Sequence, residues 1–200
     1  MANETNSFDA ELLLLNILEG QGAAEDEIIN LAKELFKNFP EEPRAEIIIG
    51  RIYVSLGQIE DARVSFRHAV EKAGFKSENY LVQAAEHQID IDDRGGALWT
   101  LTKALQGSPL HLQAGALMVG MLTTSQKYRQ ATQLLDELFG RHDEQAVLYS
   151  ARANLRKANG NLPEALADYR NAYKMSPTTT TLQNLFLALV DQGNLGAAWN

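Results

Sequence analysis

An alanine followed four residues later by a bulky apolar side chain recurs down this chain, as Ala62 with Phe66, Ala97 with Leu101, Ala131 with Leu135 and Ala165 with Tyr169. The alanines stand 35, 34 and 34 residues apart. This period restricts the fold more than any composition does, because a unit of about 34 residues holds two short helices and cannot bury an apolar face by itself. Neighbouring units have to stack. Upstream the same position is held by Ile28 with Ala32, which makes the first unit the most degenerate, and downstream it is held by Ala198.

The unit beginning at Pro43 shows the construction. Ile49-Gly50 and Tyr53 precede the turn Leu56-Gly57-Gln58, after which Ile59, Ala62, Phe66, Ala69 and Val70 share one face of a second helix. The turn glycine returns as Gly160 and Gly193, each followed by Asn and Leu. Glycine there supplies the left-handed backbone that ends a helix at little cost. Pro40, Pro109 and Pro177 fall between units, where a missing amide hydrogen and a fixed φ stop one helix and start the next. Small residues such as Gly50, Ala62 and Ala69 let helix axes approach to about 8–10 Å, so larger side chains at these positions should overpack.

These residues resemble the tetratricopeptide repeat family, whose helical hairpin carries W-x2-L-G-x2-Y, then A-x3-F, then P. The unit at 43–76 has Glu46, Ile49-Gly50, Tyr53, Ala62 and Phe66, lacks the tryptophan, and has Gly74 in place of the closing proline. The unit at 146–179 has Tyr149, Ala153, Ala165, Tyr169, Ala172 and Pro177, with Arg152 and Arg156 replacing apolar residues of its first helix, which predicts weaker packing there. Units at 78–111 and 112–145 keep the second-helix pattern but carry Ala85 and Val119 where glycine is usual. The resemblance implies an all-α fold, a right-handed α-α superhelix (solenoid) of about five and a half hairpins. The remaining units are 9–42 and a partial one at 180–200, and residues 1–8 are read as a disordered or adventitious N-terminal stretch outside the single array at 9–200. Leu195, Ala197, Ala198 and Trp199 open a second helix that stops at Asn200, as in a fragment of a longer array, and a cut helix of that kind favours end-to-end self-association.

In the family this chain resembles, first helices line a concave groove, and the groove positions here are first-helix residues pointing away from the core. They are Arg51 and Ser55, then Asn79, Gln83, Glu86 and Asp90, then Gln113 and Thr124, then Asn154 and Lys157, and finally Gln183. Asn154 holds a place where related grooves use asparagine to grip a peptide backbone, and an amide offers both donors and acceptors for that task. Grooves that clamp the carboxylate of chaperone tails use lysine, asparagine and arginine at places occupied here by Ile47, Arg51, Glu86 and Ala116, so a chaperone adaptor is not expected. The implied function is a non-catalytic scaffold that binds a protein or peptide segment and needs no cofactor. The alternative is a structural spacer in a long bacterial envelope or polysaccharide-export protein. Asn161-Leu162-Pro163-Glu164-Ala165-Leu166 and Ser176-Pro177 carry a looser resemblance to the repeat lipoproteins of exosortase systems. The compartment is cytoplasmic or periplasmic, and an upstream export signal would place such an array in the periplasm.

Chemistry is sparse elsewhere. The chain has no cysteine, which removes disulfides, thiolate metal sites and cysteine nucleophiles. His68, His87, His111 and His142 are 19, 24 and 31 residues apart, without metal-binding spacing, and read as structural or surface residues. Asp90-Ile91-Asp92-Asp93-Arg94-Gly95 begins like a calcium loop but has Leu101 where a bidentate glutamate belongs, so it reads as an interhelical turn. Gly20-Gln21-Gly22 follows an apolar helical run instead of a strand and is not a phosphate loop. Trp99 and Trp199 are read as packing residues, as are Tyr53 and Tyr149. Residues 1–42 hold ten acids against Lys33 and Lys37, which accounts for the whole formal charge of -8. No basic stripe is present to meet nucleic acid or an anionic membrane, and the longest apolar stretch, Ile47 to Leu56, is far short of the roughly 20 residues that span a bilayer.

Overall fold

The computed structural model describes residues 2–74 and 78–193. These form eleven helices and, among the described residues, no strand. In chain order they are α1 (Ala2–Gln21), α2 (Glu25–Asn38), α3 (Pro43–Ser55), α4 (Ile59–Ala73), α5 (Glu78–Asp90), α6 (Arg94–Gly107), α7 (Leu112–Thr124), α8 (Tyr128–Arg141), α9 (Ala146–Ala158), α10 (Leu162–Met175) and α11 (Thr179–Asp191). The chain divides into two compact units, Met1–Lys103 and Ala104–Asn200, with the boundary inside α6.

Each expected hairpin turn is marked by one residue in the left-handed region. Gly22, Gly57, Gly160 and Gly193 have φ between 70° and 82°, and the equivalent places after α5 and α7 are taken by Asp92 (φ 56°) and Gln126 (φ 57°). Periodicity thus imposes the same backbone turn even where the sequence does not supply glycine. Pro43 begins α3, where its missing N–H is one that the first turn leaves unpaired anyway. A reciprocal pair of bonds between Thr178 and Thr181 starts α11.

In the first unit, Phe8 and Leu15 of α1 meet Ala32 and Leu35 of α2 and Ala45, Ile48 and Ile52 of α3 in one buried cluster. Phe8 sits edge-on to Phe39, with ring centroids 5.2 Å apart. α1 begins at Ala2, and Phe8 is buried in this cluster. Farther along, Ala62, Phe66, Ala69 and Val70 are buried on α4, and Leu81, Ala84 and Ala85 on α5. Gly50 explains the close approach of α3 to α4, since a Cβ on it would lie 2.5 Å from Phe66 Cε1.

The second unit repeats the scheme. Val119, Ala131, Leu135, Leu138, Leu148 and Leu155 form one cluster across α7, α8 and α9. Ala153, Ala165, Leu166 and Tyr169 pack with Ala188 and Leu189 across α9, α10 and α11. Val119 stands where glycine is usual, and the close approach moves one turn earlier to Gly115, whose Cβ would lie 2.7 Å from Leu138 Cδ2. Residues 194–200, on which the expected truncated helix and Trp199 fall, lie outside the described residues.

Among the described residues, three hairpins carry a buried polar link between their two helices. Glu46 of α3, 3% exposed, accepts a 2.7 Å bond from Lys72 of α4. Thr100 of α6 donates to Gln88 of α5 at 2.7 Å, both fully covered. Asp168 of α10, 2% exposed, is held by Arg152 through two bonds of 2.9 and 2.7 Å and by Arg156 at 2.6 Å. The two arginines therefore do not loosen α9 as the sequence pattern suggests. Arg152 spreads over the rings of Phe139 and Tyr149, and the carboxylate they share bonds α9 to α10. A half-satisfied version of such a network would be costly, which gives it a strong hold on helix register.

Candidate functional site

The odd-numbered helices α3, α5, α7, α9 and α11 carry all of the residues expected to face a partner, and each of those residues is exposed. Helical spacing produces this result: the small and bulky apolar positions turn inward, and the remaining face of each helix is left to water.

In the first unit, α3 and α5 pack side by side and present Arg51, Ser55, Asn79, Gln83, Glu86 and Asp90. Arg51, Ser55 and Asp90 meet around a hollow of about 250 Å³, with Val54, His87 and Ile91 completing its wall. Its floor is apolar and its rim carries both charges. The His87 ring stacks on Phe66, with centroids 5.4 Å apart and planes 15° from parallel. Burial and then the neighbouring Arg51 charge hold its pKa below the ordinary value, while Asp90 opposes them. Burial, with the Asp90 charge one turn away, raises the Glu86 pKa. Ser55 donates its hydroxyl to the Ile52 carbonyl at 2.8 Å.

In the second unit, Gln113, Thr124, Asn154, Lys157 and Gln183 are exposed on α7, α9 and α11. Two of them are already engaged across helices. The Asn154 side-chain oxygen accepts from the Tyr169 hydroxyl, and Lys157 pairs with Asp191 at 2.6 Å. Asn154 keeps both N–H donors, and Tyr169 takes one of the two lone pairs of its oxygen, so its free capacity is weighted toward donation. Thr124 returns its hydroxyl to Met121 O at 3.0 Å. Gln113 lines a separate open hollow of about 600 Å³, whose wall includes His111, Arg141 and His142.

The histidines serve local structure. His111 Nδ1 accepts from Ala114 N–H at the start of α7, and His142 Nε2–H donates to Leu110 O at 2.6 Å. His68 lies 3.5 Å from Glu46. The acidic stretch after α5 is the interhelical turn, with Asp93 accepting from Gly96 N–H at 3.1 Å. Ile47 and Ala116 are buried and take no part in either exposed face.

Trp99 departs from its reading as a packing residue. It is 42% exposed, with the Lys103 ammonium 4.9 Å from the ring centre. Ala97, Thr100 and Leu101 form the inward stripe of α6, and Leu98 and Trp99 fall on the other side of the helix. His87, Val54 and Ile91 were not among the expected groove residues. For His87, the signal lay in its position three residues before Asp90 on the same helix.

A chain of antiparallel helical hairpins with buried alanines and bulky partners at a fixed period is, in class, a helical repeat protein. The chain matches no family model and no curated protein. It is similar to a solved tetratricopeptide repeat protein from Parabacteroides merdae at 17% identity and TM-score 0.69, over 97% of this chain and 77% of that one. A thermophilic tetratricopeptide protein of Thermus thermophilus matches at 20% identity and TM-score 0.67, over 92% of this chain and 99% of that one. PilW, a type IV pilus biogenesis factor, matches at 14% identity and TM-score 0.69, over 96% of this chain and 89% of that one. The particular fold is the tetratricopeptide-repeat fold. Among the described residues, no helix is long and apolar enough to cross a membrane.

Proposed function

We propose that this protein is a non-catalytic scaffold that binds a peptide or protein segment on the exposed faces of α3, α5, α7, α9 and α11. The observation that carries the proposal is the hollow where Arg51, Ser55 and Asp90 converge, with an apolar floor of Val54 and Ile91 between two opposite charges. A segment pairing one apolar side chain with polar backbone or charged neighbours fits that chemistry. Across α5 the same face continues as the amides Asn79 and Gln83, which pair with peptide backbone groups of either polarity. In the second unit, Asn154 contributes donors to a segment's carbonyls and Lys157 contributes a charge shared with Asp191.

The test places a photo-reactive residue at Gln83, and in a second protein at Arg67, which is exposed on the even helix α4. Cross-linked segments recovered from Gln83 and not from Arg67 support the proposal. Changing Arg51, Glu86 and Asn154 to alanine should then abolish the cross-link while leaving helicity intact. Equal labelling at the two positions, or labelling that survives the triple change, would place binding elsewhere.

A further inference from the structure

Helix α1 turns one side to the core and an equally apolar side to water. Phe8, Leu12 and Leu15 pack into the cluster with α2 and α3. Leu13, Leu14 and Ile17 are 60%, 47% and 44% exposed, and Ala10 is exposed beside them. At about 100° per residue these four lie on the opposite side of the helix from Phe8 and Leu15. Their spacing of three and four residues is that of a helix–helix seam.

Charge indicates the occupant. Asp9 and Glu11 stand at the two edges of the stripe, about a quarter-turn or slightly more from its centre. Each makes a contact on one side, Asp9 with Arg44 at 2.9 Å and Glu11 with Asn38 at 3.4 Å, and Asp9 remains 59% exposed. Across residues 1–42, ten acids face only two lysines. A second copy would set these acids against one another, and an anionic bilayer would meet the same repulsion. We propose that the outer face of α1 docks a basic amphipathic helix of another protein, its apolar side on Leu13, Leu14 and Ile17 and its lysines or arginines over the acidic rim.

This site is separate from the proposed peptide face, and its test can fail independently. The full chain is titrated calorimetrically with a synthetic leucine–lysine amphipathic helix about five turns long, and with its leucine–glutamate counterpart. The lysine peptide should bind, more weakly as salt rises, and the glutamate peptide should not. Changing Leu13, Leu14 and Ile17 together to glutamine should weaken binding roughly a hundredfold. Circular dichroism should not change, because those side chains already lie in water. If the triple variant folds poorly, Leu13→Lys alone provides the test, with about a tenfold loss expected. Unchanged affinity in the variants, or equal binding of the glutamate peptide, overturns the proposal. It is also overturned if the parent chain forms a dimer that the triple change abolishes, or binds anionic vesicles through this face. The Arg51, Glu86 and Asn154 alanine variant should bind the lysine peptide as the parent does.

Discussion

Gly50→Ala adds one methyl group to the tightest approach in the first unit. Its Cβ would stand 2.5, 2.8 and 2.9 Å from Cε1, Cδ1 and Cζ of Phe66, where carbon atoms settle at about 3.5–4.0 Å. The ring cannot easily yield, because Phe66 is 0% exposed and its ring stacks on His87. The helices must therefore separate by about 1 Å or the ring must leave its rotamer, an overpacking cost at the upper end of the usual range, about 2–3 kcal/mol. Alanine's better helix propensity returns about 1 kcal/mol, which leaves a net loss of about 1–2 kcal/mol. Gly120→Ala is the control. Nothing lies within 4 Å of its added Cβ, so the same substitution should stabilise α7 by about 0.5–1 kcal/mol. Urea denaturation followed by circular dichroism reads both through the midpoint at constant slope. Phe66→Leu in the Gly50→Ala background should recover about 1 kcal/mol relative to the sum of the single changes. A Gly50→Ala protein as stable as its parent, or strict additivity with Phe66→Leu, would refute the account of why α3 and α4 pack closely.

Gln126→Gly should raise stability by about 0.5–1 kcal/mol, since Gln126 holds φ 57° on an exposed turn with its β-carbon in a disfavoured region; a lower urea midpoint would count against that. Asp168→Ala should cost about 3 kcal/mol by stripping the buried acceptor from Arg152 and Arg156, and a double-mutant cycle with Arg152→Ala should show strong coupling. His87 has a pKa held below its usual 6.5, so between those two values the unfolded chain binds more protons and stability falls as pH drops through 6.5. A His87→Phe variant, which keeps the stack on Phe66, should lose that part of the slope, and an NMR titration of the parent should place the His87 midpoint below 6.5; parallel stability curves or an unshifted midpoint would contradict the burial argument.

The period was legible because it records packing. An alanine and a bulky residue four positions on occupy one inward stripe, and the pairs Ala62 with Phe66, Ala97 with Leu101, Ala131 with Leu135 and Ala165 with Tyr169 are all buried. The same arithmetic kept the expected groove residues on exposed faces. What escaped depends on a second helix. Arg152 and Arg156 look like defects in an apolar stripe until Asp168, twelve and sixteen positions later, is seen to accept from both. Phe8 looks like part of a polar leading segment until Phe39 gives it a partner. Trp99 differs in another way: its phase relative to Ala97 and Leu101, and not its residue type, decides that it lies on the outer side of α6.

The cross-helix bonds also change what the exposed face can recognise. Read alone, Asn154 is a donor and an acceptor, and Lys157 is a cation. With Tyr169 donating to the Asn154 oxygen and Asp191 balancing Lys157, the second unit instead presents N–H donors and a neutralised charge. Groups of that kind suit the carbonyls of an extended backbone better than the side chain of an acid. The first unit differs, because the Arg51, Ser55 and Asp90 hollow combines both charges with an apolar floor and can select a side chain. Selectivity should therefore depend more on side-chain identity where a segment meets α3 and α5, and more on backbone geometry where it meets α9. Alanine scanning of a segment bound at each unit, taken separately, would test this: side-chain truncation opposite Arg51 should cost far more affinity than truncation opposite Asn154, and the reverse order would show that the intramolecular bonds give way when the partner binds.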